Sequence, residues 1–295
     1  MTTRFAVDWV DAFSSSPFGG NGCAVVHDAA GLDDETCKRF VRETSLVECT
    51  FLGPSDHADV KVRYFLASGE IPFAGHPTVA SVAALAHRKL AKDGAITLET
   101  GAGIIPVEIS HDDVGLLVSM TVIAPTFGQT VPRDMVAEVL GLDPDDILAP
   151  PQIASTGLPF CITLVRDPDT ILRARLNPEA LQRMMRHIGA GPGEMCEPYM
   201  ITCQGATETG DTFGRLLLPP PNPPEDAFTG SATGAAAAWL WHHGHIARPN
   251  YVAQQGHGMG RPGEAQVEVI GPADAITGVR LAGRAHVLMS GDLFL

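Results

Sequence analysis

The sequence contains few basic residues. Lysine and arginine together number 20 against 34 aspartates and glutamates in 295 residues, which gives a formal net charge of −14 at pH 7. Proteins that bind nucleic acid or an anionic membrane surface rely on clustered positive charge. The shortage of basic residues therefore argues against both kinds of partner.

Long apolar runs are missing as well. No uninterrupted run approaches the roughly 18 residues that a membrane-spanning helix needs. The first residues, Met1–Asp8, reach an acidic side chain too early for a secretory signal peptide. We therefore expect a cytoplasmic protein that associates with no membrane.

Cysteine pairs are also absent. None of the six cysteines forms a C-x-x-C pair, and all are scattered through a long chain. A disulfide scaffold and a zinc ribbon both need regular cysteine spacing, so neither is expected, and the cysteines are predicted to be reduced thiols. The six are Cys23, Cys37, Cys49, Cys161, Cys196 and Cys203.

What the sequence does contain is enough apolar material for a packed core. Apolar residues make up 45% of the chain and charged residues 18%, which excludes a disordered protein. At roughly 150 residues per domain, the length predicts two domains. The 31 glycines and 23 prolines predict many turns and hence many short strands. Short helices are predicted at Asp34–Arg42, Asp134–Leu140 and Pro178–Ile188, the last two each stopped by a glycine.

Two predicted helices differ from the others because they are apolar on every face. They cover Thr78–Lys89 and Ala232–Trp241, and a helix that is apolar all round is normally buried. Two buried helices among many strands predict two β-layers, each wrapped around a central helix.

The same two segments form an internal repeat. Gly75–Leu85 aligns with Gly230–Leu240, with glycine, threonine, leucine and several alanines coinciding. The natural linker is the segment Ala124–Pro151, which is rich in proline, glycine and aspartate. We predict an N-terminal half over residues 1–123 and a C-terminal half over residues 124–295, with the last strands able to pack back on the first half.

Each buried helix opens with a glycine and a polar residue, Gly75-His76 in the first and Thr229-Gly230-Ser231 in the second. Pro77 suits the first helical position. Unpaired backbone N–H groups and the helix dipole make such a start a binding site for an anion. The alternative for the serine and threonine is simple helix capping.

Glu48 is a candidate general base. It lies in a predicted strand among apolar residues, sharing a face with Leu46, Thr50 and Leu52. A carboxylate on an apolar strand face is expected to have a raised pKa, which would let it accept and return protons near neutral pH. The alternative is a glutamate at a strand edge that points into solvent.

His76 and Asp226 are further candidates. His76 starts a buried helix, where the dipole disfavours a charged imidazolium, so a neutral ring with one hydrogen bond is expected; the alternative is a structural histidine. Asp226 follows the proline-rich turn Pro219–Pro224. The alternative interpretation is that Asp226 is a turn residue or caps the helix.

The sequence does not indicate a metal site or a nucleotide-binding site. His242, His243 and His245 lie at the predicted end of a helix, without a carboxylate or cysteine at ligand spacing. The glycine-rich segment Gly256–Pro262 lacks the G-x-G-x-x-G pattern before a long helix. We therefore predict no metal site.

Several motifs, in this order and at this spacing, resemble the PhzF-like (phenazine-biosynthesis) isomerase family over nearly the whole chain. The motifs are Val7–Phe13, Phe18–Asn21, Val47–Phe51, Glu70–Thr78, Ser155–Gly157, Glu225–Ala232, Gln255-Gly256 and Gly260–Pro262.

This resemblance implies an α+β fold similar to diaminopimelate epimerase: two related halves, each a β-barrel-like sheet around a central buried helix. It also implies an active site in the cleft between the halves. The family's general acid/base glutamate falls on Glu48, its histidine on His76, its aspartate on Asp226 and its serine on Ser231. Backbone at Gly75 and Gly230 lines the same cleft, and Thr229 is expected to bind substrate with them.

The resemblance further implies a cofactor-independent isomerase. The family's namesake moves a proton within trans-2,3-dihydro-3-hydroxyanthranilate, and the conjugated substrate delocalises the negative charge, so no electron sink is required. We expect no metal or organic cofactor, a small carboxylated metabolite as the binding partner, and a homodimer.

The chain departs from the family pattern near the predicted site. Val47 stands where many members have serine, and Phe228 stands where alanine is usual before Thr-Gly-Ser. The family's Gly-Asn-Pro turn has glycine at its third position, Gly22. These changes affect the expected substrate more than the expected reaction type.

Two other functions stay open. One is an epimerase or racemase on the same fold that uses two thiols, although the helix starts carry His76 and Ser231 where that chemistry needs cysteines. Cys49 adjoins Glu48 but should face away from it on a strand. The other is a binding protein for small carboxylates that has no catalytic activity.

Overall fold

The computed structural model describes residues 3–191 and 196–295. The chain forms two compact units, one made of residues 1–121, 221–223 and 282–295, the other of residues 122–220 and 224–281. Each combines strands with a few helices. No helix within the described ranges is both long and apolar enough to cross a membrane.

The first unit is built from an N-terminal run of strands and two helices. Its elements are β1 (Arg4–Ala12), β2 (Asn21–Val26), α1 (Asp34–Thr44), β3 (Glu48–Gly53), β4 (Val60–Leu66), β5 (Glu70–Ile71), α2 (Gly75–His87), β6 (Gly94–Thr100), β7 (Gly103–Asp112) and most of β8 (Gly115–Ile123).

The strands of this unit form a curved sheet around α2. β1 pairs antiparallel with β2, β2 parallel with β3, β3 antiparallel with β4, β4 parallel with β6, and β6 antiparallel with β7, which pairs with β8. Helix α2 is buried from Gly75 to Leu85. The absence of charge from this helix is explained by its place inside the sheet.

The second unit repeats the same plan. Its elements are β9 (Thr126–Thr130), α3 (Arg133–Leu140), β10 (Gln152–Ser155), β11 (Pro159–Leu164), α4 (Pro168–Arg173), α5 (Pro178–Ile188), β12 (Pro198–Thr202), β13 (Thr212–Leu217), β14 (Glu225–Asp226), α6 (Gly230–His242), β15 (Asn250–Gln255) and β16 (Gly263–Ile270), and the last strand, β17 (Gly278–Phe294), begins here.

Strand pairing in the second unit has the same order as in the first. β10 pairs antiparallel with β11, β11 parallel with β12, β12 antiparallel with β13, β13 parallel with β15, and β15 antiparallel with β16. Helix α6 is buried from Gly230 to Leu240. The predicted fold, two related halves with a sheet around a central buried helix, is confirmed.

Strand register extends the repeat beyond the two helices. Ile71 and Asp226 each lie four residues before the first glycine of a buried helix. Ile71 pairs with Tyr64 and Asp226 pairs with Leu216, so Tyr64 and Leu216 occupy equivalent positions. One strand further, Thr50 pairs with Tyr64 and Tyr199 pairs with Leu216, which makes Thr50 equivalent to Tyr199.

The path of the last strand explains why the two units are not two simple halves of the sequence. The chain passes from the first unit to the second at Thr121 and Val122, and residues 282–295 belong to the first unit. There, β17 pairs antiparallel with β1 from Ala285 to Phe294. The predicted limits of 1–123 and 124–295 therefore differ from the spatial units chiefly in these last residues.

Local signals set the ends of several helices. Asp33 caps α1 by accepting a hydrogen bond from the Thr36 N–H, and Asn177 caps α5 in the same way through Ala180. Gly189 follows α5 in the left-handed conformation, as the sequence predicts. The expectation for Pro77 is wrong by two positions, because α2 begins at Gly75. Proline is tolerated there since the first N–H groups of a helix need no partner within it.

One close backbone approach in the second unit is testable. A Cβ atom at Gly214 would overlap the hydroxyl group of Tyr199. We expect Gly214→Ala to lower the free energy of unfolding by about 1–3 kcal/mol, because the buried tyrosine must shift. Urea denaturation would measure the loss. Gly31→Ala is the matched control, since a Cβ there meets no atom within 4 Å; equal stability losses in both variants would contradict the steric explanation.

Candidate active site

Glu48 is buried in the interior of a sheet. It is the first residue of β3, which pairs with β2 on one side and with β4 on the other. The residue is 8% exposed. The alternative of a solvent-facing edge glutamate is therefore wrong, because β3 is not an edge strand.

His76 lies beside Glu48, at the start of α2. Its Nδ1 atom is 3.7 Å from Glu48 Oε2 and 3.0 Å from the amide nitrogen of Asn21. Only the second distance is that of a hydrogen bond. An amide nitrogen can only donate, so Nδ1 accepts this hydrogen bond and the ring carries its proton on Nε2. The first unit thus places a carboxyl group next to a neutral imidazole whose tautomer is set by a neighbouring residue.

Asp226 and Thr229 lie together at the start of α6. The Thr229 hydroxyl donates to Asp226 Oδ2 at 2.6 Å. Thr229 is the N-cap residue, but its side chain makes no capping hydrogen bond. The capping alternative is therefore wrong for Thr229, since its hydroxyl is directed to the aspartate instead.

The first helical residues of α6, Gly230 and Ser231, are buried with Asp226. The backbone N–H groups at the start of this helix have no carbonyl partner within the helix, and the helix dipole adds partial positive charge there. Helix α2 starts in the same way with Gly75 and His76. Each unit therefore presents acidic or polar side chains at the N-terminus of its buried helix.

Known proteins are similar to this chain over nearly its whole length. The profile of the PhzC-PhzF family, described as phenazine biosynthesis-like protein, matches residues 10–291. The chain belongs to this family. The trans-2,3-dihydro-3-hydroxyanthranilate isomerase of Pseudomonas aeruginosa is 29% identical over 97% of this chain and 98% of its own length.

Solved structures agree with this assignment. A PhzF-family protein of Bacillus anthracis is similar with a TM-score of 0.87 and 26% identity, covering 99% of this chain and all of the other. A hydroxyproline epimerase of Agrobacterium vitis has a TM-score of 0.67 at 13% identity, covering 99% of this chain and 93% of its own. The second likeness shows a shared fold. The protein described here, as a member of the PhzF family, is an enzyme of the isomerase class.

The cysteines nearest Glu48 in this PhzF-family enzyme are unsuited to nucleophilic chemistry. Cys49 points to the opposite side of β3, into a cluster with Cys37 and Phe51, as the alternation along a strand predicts. Burial raises the pKa of the Cys49 thiol to about 12. Burial also raises the pKa of Cys23 well above its ordinary value. Both thiols therefore stay protonated near neutral pH.

Glu197 is a buried acid that the sequence analysis missed. It lies two residues before Tyr199, as Glu48 lies two residues before Thr50, so the repeat makes the two glutamates equivalent. Burial raises the pKa of Glu197, and its Oε2 accepts a hydrogen bond from the Cys196 N–H at 3.0 Å. Extending the repeat upstream from the helix starts would have revealed it. The sequence analysis included Asn21 and Gln255 only as members of family motifs and did not predict their hydrogen bonds to His76 and Asp226.

The three histidines at the C-terminal end of α6, His242, His243 and His245, take part in aromatic packing. His242 stacks on Phe127 with ring centroids 4.5 Å apart, and His245 stacks on Trp239 at 5.0 Å. Burial lowers the pKa of His245. Across residues 3–191 and 196–295, no group of three or more His, Cys, Asp or Glu side chains is placed to hold a metal ion.

Proposed function

We propose that this protein is a cofactor-independent isomerase that moves a proton between two carbons of a small carboxylated substrate, as in trans-2,3-dihydro-3-hydroxyanthranilate isomerisation. The observation that carries the proposal is the buried Glu48 carboxyl group 3.7 Å from the His76 ring, which is itself held by Asn21. Carbon–proton transfer needs an acid/base of this kind within a site from which water is excluded.

Glu48 is the general acid/base in this proposal. Its carboxylate removes a proton from a substrate carbon, the electron pair of that C–H bond moves into the conjugated system, and a proton is returned at another carbon. The substrate gains and loses one proton, so no oxidant or reductant is needed. His76, with its proton on Nε2, acts as a hydrogen-bond donor that stabilises negative charge on the substrate.

Binding is assigned to the helix starts. Backbone N–H groups at Gly75 and Gly230 suit a carboxylate, and the side chains of Asp226, Thr229 and Ser231 suit hydroxyl or amino groups. Asp226 and Ser231 are catalytic in the sense that they touch the reacting molecule. Such groups contribute by holding the substrate in a reactive geometry.

Proton NMR in deuterated buffer tests the proposal. The protein is incubated with trans-2,3-dihydro-3-hydroxyanthranilate, and the substrate spectrum is followed for isomerisation and for loss of C–H signal to deuterium. We expect both to depend on enzyme concentration. Absence of any exchange or isomerisation with this compound and with a panel of small unsaturated carboxylates would overturn the proposal and favour a binding protein.

The alternative of a two-thiol epimerase predicts dependence on cysteine. We expect Cys49→Ser to retain most of the isomerase activity, because the thiol faces a hydrophobic cluster and its pKa is about 12. Steady-state kinetics of the variant would measure the effect. Complete loss of activity in a folded Cys49→Ser protein would support the thiol mechanism instead.

The remaining assignments follow from the same proposal. We propose a cytoplasmic enzyme that acts on a free metabolite, without nucleic acid or membrane partners and without a metal or organic cofactor. A homodimer is proposed from the family resemblance, and light scattering coupled to size-exclusion chromatography would test it against the monomer mass of 31.2 kDa.

A further inference from the structure

We propose that Gln255 is a positioning residue that orients the Asp226 carboxyl group through the hydroxyl of Thr229. This inference rests on the proposed role of Asp226 in the isomerase. Gln255 ends strand β15 and is fully buried. It does not reach the reacting molecule in this assignment, and it acts only through its neighbours.

Gln255 uses its whole hydrogen-bonding capacity around the start of α6. Its Oε1 accepts from the Thr229 N–H at 3.1 Å and from the Tyr199 hydroxyl at 3.1 Å. Its Nε2 donates to the Asp226 carbonyl at 2.8 Å and to the Thr229 hydroxyl oxygen at 3.1 Å. A primary amide has two donors and two acceptor positions, so the side chain is saturated.

These partners determine which way the amide points. A backbone N–H can only donate and a backbone carbonyl can only accept, so Oε1 must face Thr229 N and Nε2 must face Asp226 O. Burial raises the pKa of Tyr199, which keeps its hydroxyl protonated as a donor to Oε1. If the amide were flipped, its NH₂ group would face the N–H of Thr229 and the hydroxyl of Tyr199, both of which donate. Its oxygen would then face the Asp226 carbonyl oxygen.

The orientation of the Gln255 amide determines which hydrogen bond the Asp226 carboxyl group receives from Thr229. Since Nε2 donates to Thr229 Oγ1, the hydroxyl proton is directed away from Gln255 and toward Asp226 Oδ2, 2.6 Å away. Oδ2 is therefore an acceptor, and a proton carried by Asp226 must lie on Oδ1. Gln255 thereby keeps a hydrogen bond on Oδ2, which favours the ionised form of the carboxyl group, and gives the two oxygens different roles.

A neighbouring residue provides a matched control. Gln254 is also buried, on the same strand, and both ends of its amide are also hydrogen-bonded, to Thr207, Thr209 and Glu264. These partners lie in the 205–210 segment and β16, and neither Asp226 nor Thr229 is among them. Gln254→Met and Gln255→Met therefore remove the same chemical group from the same strand, but only the second affects Asp226.

The first readout needs no substrate turnover. The protein is labelled with ¹³C at the aspartate carboxyl carbons, the Asp226 signal is assigned by its loss in Asp226→Asn, and its titration midpoint is measured by NMR. We expect the midpoint to rise by about one pH unit in Gln255→Met, because the Thr229 hydroxyl is no longer directed to the carboxylate. In Gln254→Met the midpoint should equal that of the wild type.

The second readout is kinetic. In Gln255→Met we expect kcat to fall about tenfold with a smaller change in KM, and the acid limb of the pH profile to move to higher pH with the carboxyl midpoint. Gln255→Glu serves as a second variant if Gln255→Met fails to fold. Its side chain has the same shape, and its protonated form can still donate one hydrogen bond, so activity should recover on the acid side of the profile.

The outcomes separate this inference from the proposed function. An unshifted Asp226 midpoint in a folded Gln255→Met protein would overturn the positioning role, whatever the activity. A shifted midpoint in an enzyme that isomerises no candidate substrate would support the role of Gln255 while the proposed reaction failed. Equal midpoint shifts in the Gln254 and Gln255 variants would show general loosening of β15 and would also overturn the inference.

Discussion

Replacing Glu48 by glutamine is expected to lower kcat by about a thousandfold or more, within the range for loss of a general acid/base. The substitution preserves the shape of the side chain and removes its ability to take a proton from carbon. Deuterium exchange into the substrate should disappear with turnover, because both need the same proton transfer. Rates from the NMR assay, with wild type and variant at equal concentration, would measure the loss.

Glu197→Gln is the matched control for this experiment. Glu197 is buried and occupies the equivalent place in the second unit, but its carboxyl group accepts the Cys196 N–H. We expect this variant to retain most of the activity. Both variants should give circular dichroism spectra and melting temperatures close to those of the wild type or above them. Turnover by a folded Glu48→Gln protein at the wild-type rate would remove Glu48 from the mechanism.

Substitution of Asp8 by alanine should have the largest effect on stability. The Asp8 side chain is wholly buried on β1 and receives hydrogen bonds from Arg88 at 2.6 and 2.8 Å, from His27 at 2.8 Å and from Ser290 at 2.6 Å. These partners tie β1 to β2, β17 and the C-terminal end of α2. Asp8→Ala removes a wholly buried carboxylate and leaves the buried His27 ring and the Arg88 guanidinium without their common acceptor. We expect a loss of about 3 kcal/mol in the free energy of unfolding.

The pH dependence of this loss provides an independent check. Burial alone would raise the pKa of Asp8, but hydrogen bonds from Arg88, Ser290 and His27 outweigh it and hold the pKa below the ordinary 3.8. A lowered pKa in the folded state means that the carboxylate stabilises the protein above pH 3.8 and that this contribution is lost as the pH falls through the folded value. The difference between wild type and Asp8→Ala should therefore shrink in acid.

Asp112→Ala serves as the control for the Asp8 experiment. Asp112 also forms a two-bonded ion pair, with Arg284 at 2.6 and 2.8 Å, but its side chain is half exposed. Solvent screens such a pair, so its removal should change stability little. Urea denaturation of both variants at neutral pH would compare them. Equal losses would contradict the view that burial of Asp8 makes its network important.

Much of the fold was already determined by local sequence. Helix α5 was predicted from Pro178 to Ile188 with its glycine stop, and it has these limits in the structure. The two buried helices could be recognised because they have no charge on any face. These features depend on residues close together in the chain, and their physical causes, capping, turn geometry and burial, are local or periodic.

Other features were decided only by the tertiary structure. The burial of Glu48 depends on β2 and β4 lying on both sides of β3, and the tautomer of His76 depends on Asn21, which lies 55 residues earlier in the chain. The hydrogen bonds that link Gln255 to Asp226 join residues 29 positions apart. Local pattern carries no information about such distant pairs.

The sequence by itself thus determined the family, the repeated architecture and the types of residue available for proton transfer. The tertiary structure decided which of them are buried, which atom of His76 accepts a hydrogen bond, and toward which oxygen of Asp226 the Thr229 hydroxyl points. The physical reason is that hydrogen-bond direction and desolvation depend on groups brought together by strand register, which short-range sequence patterns do not specify.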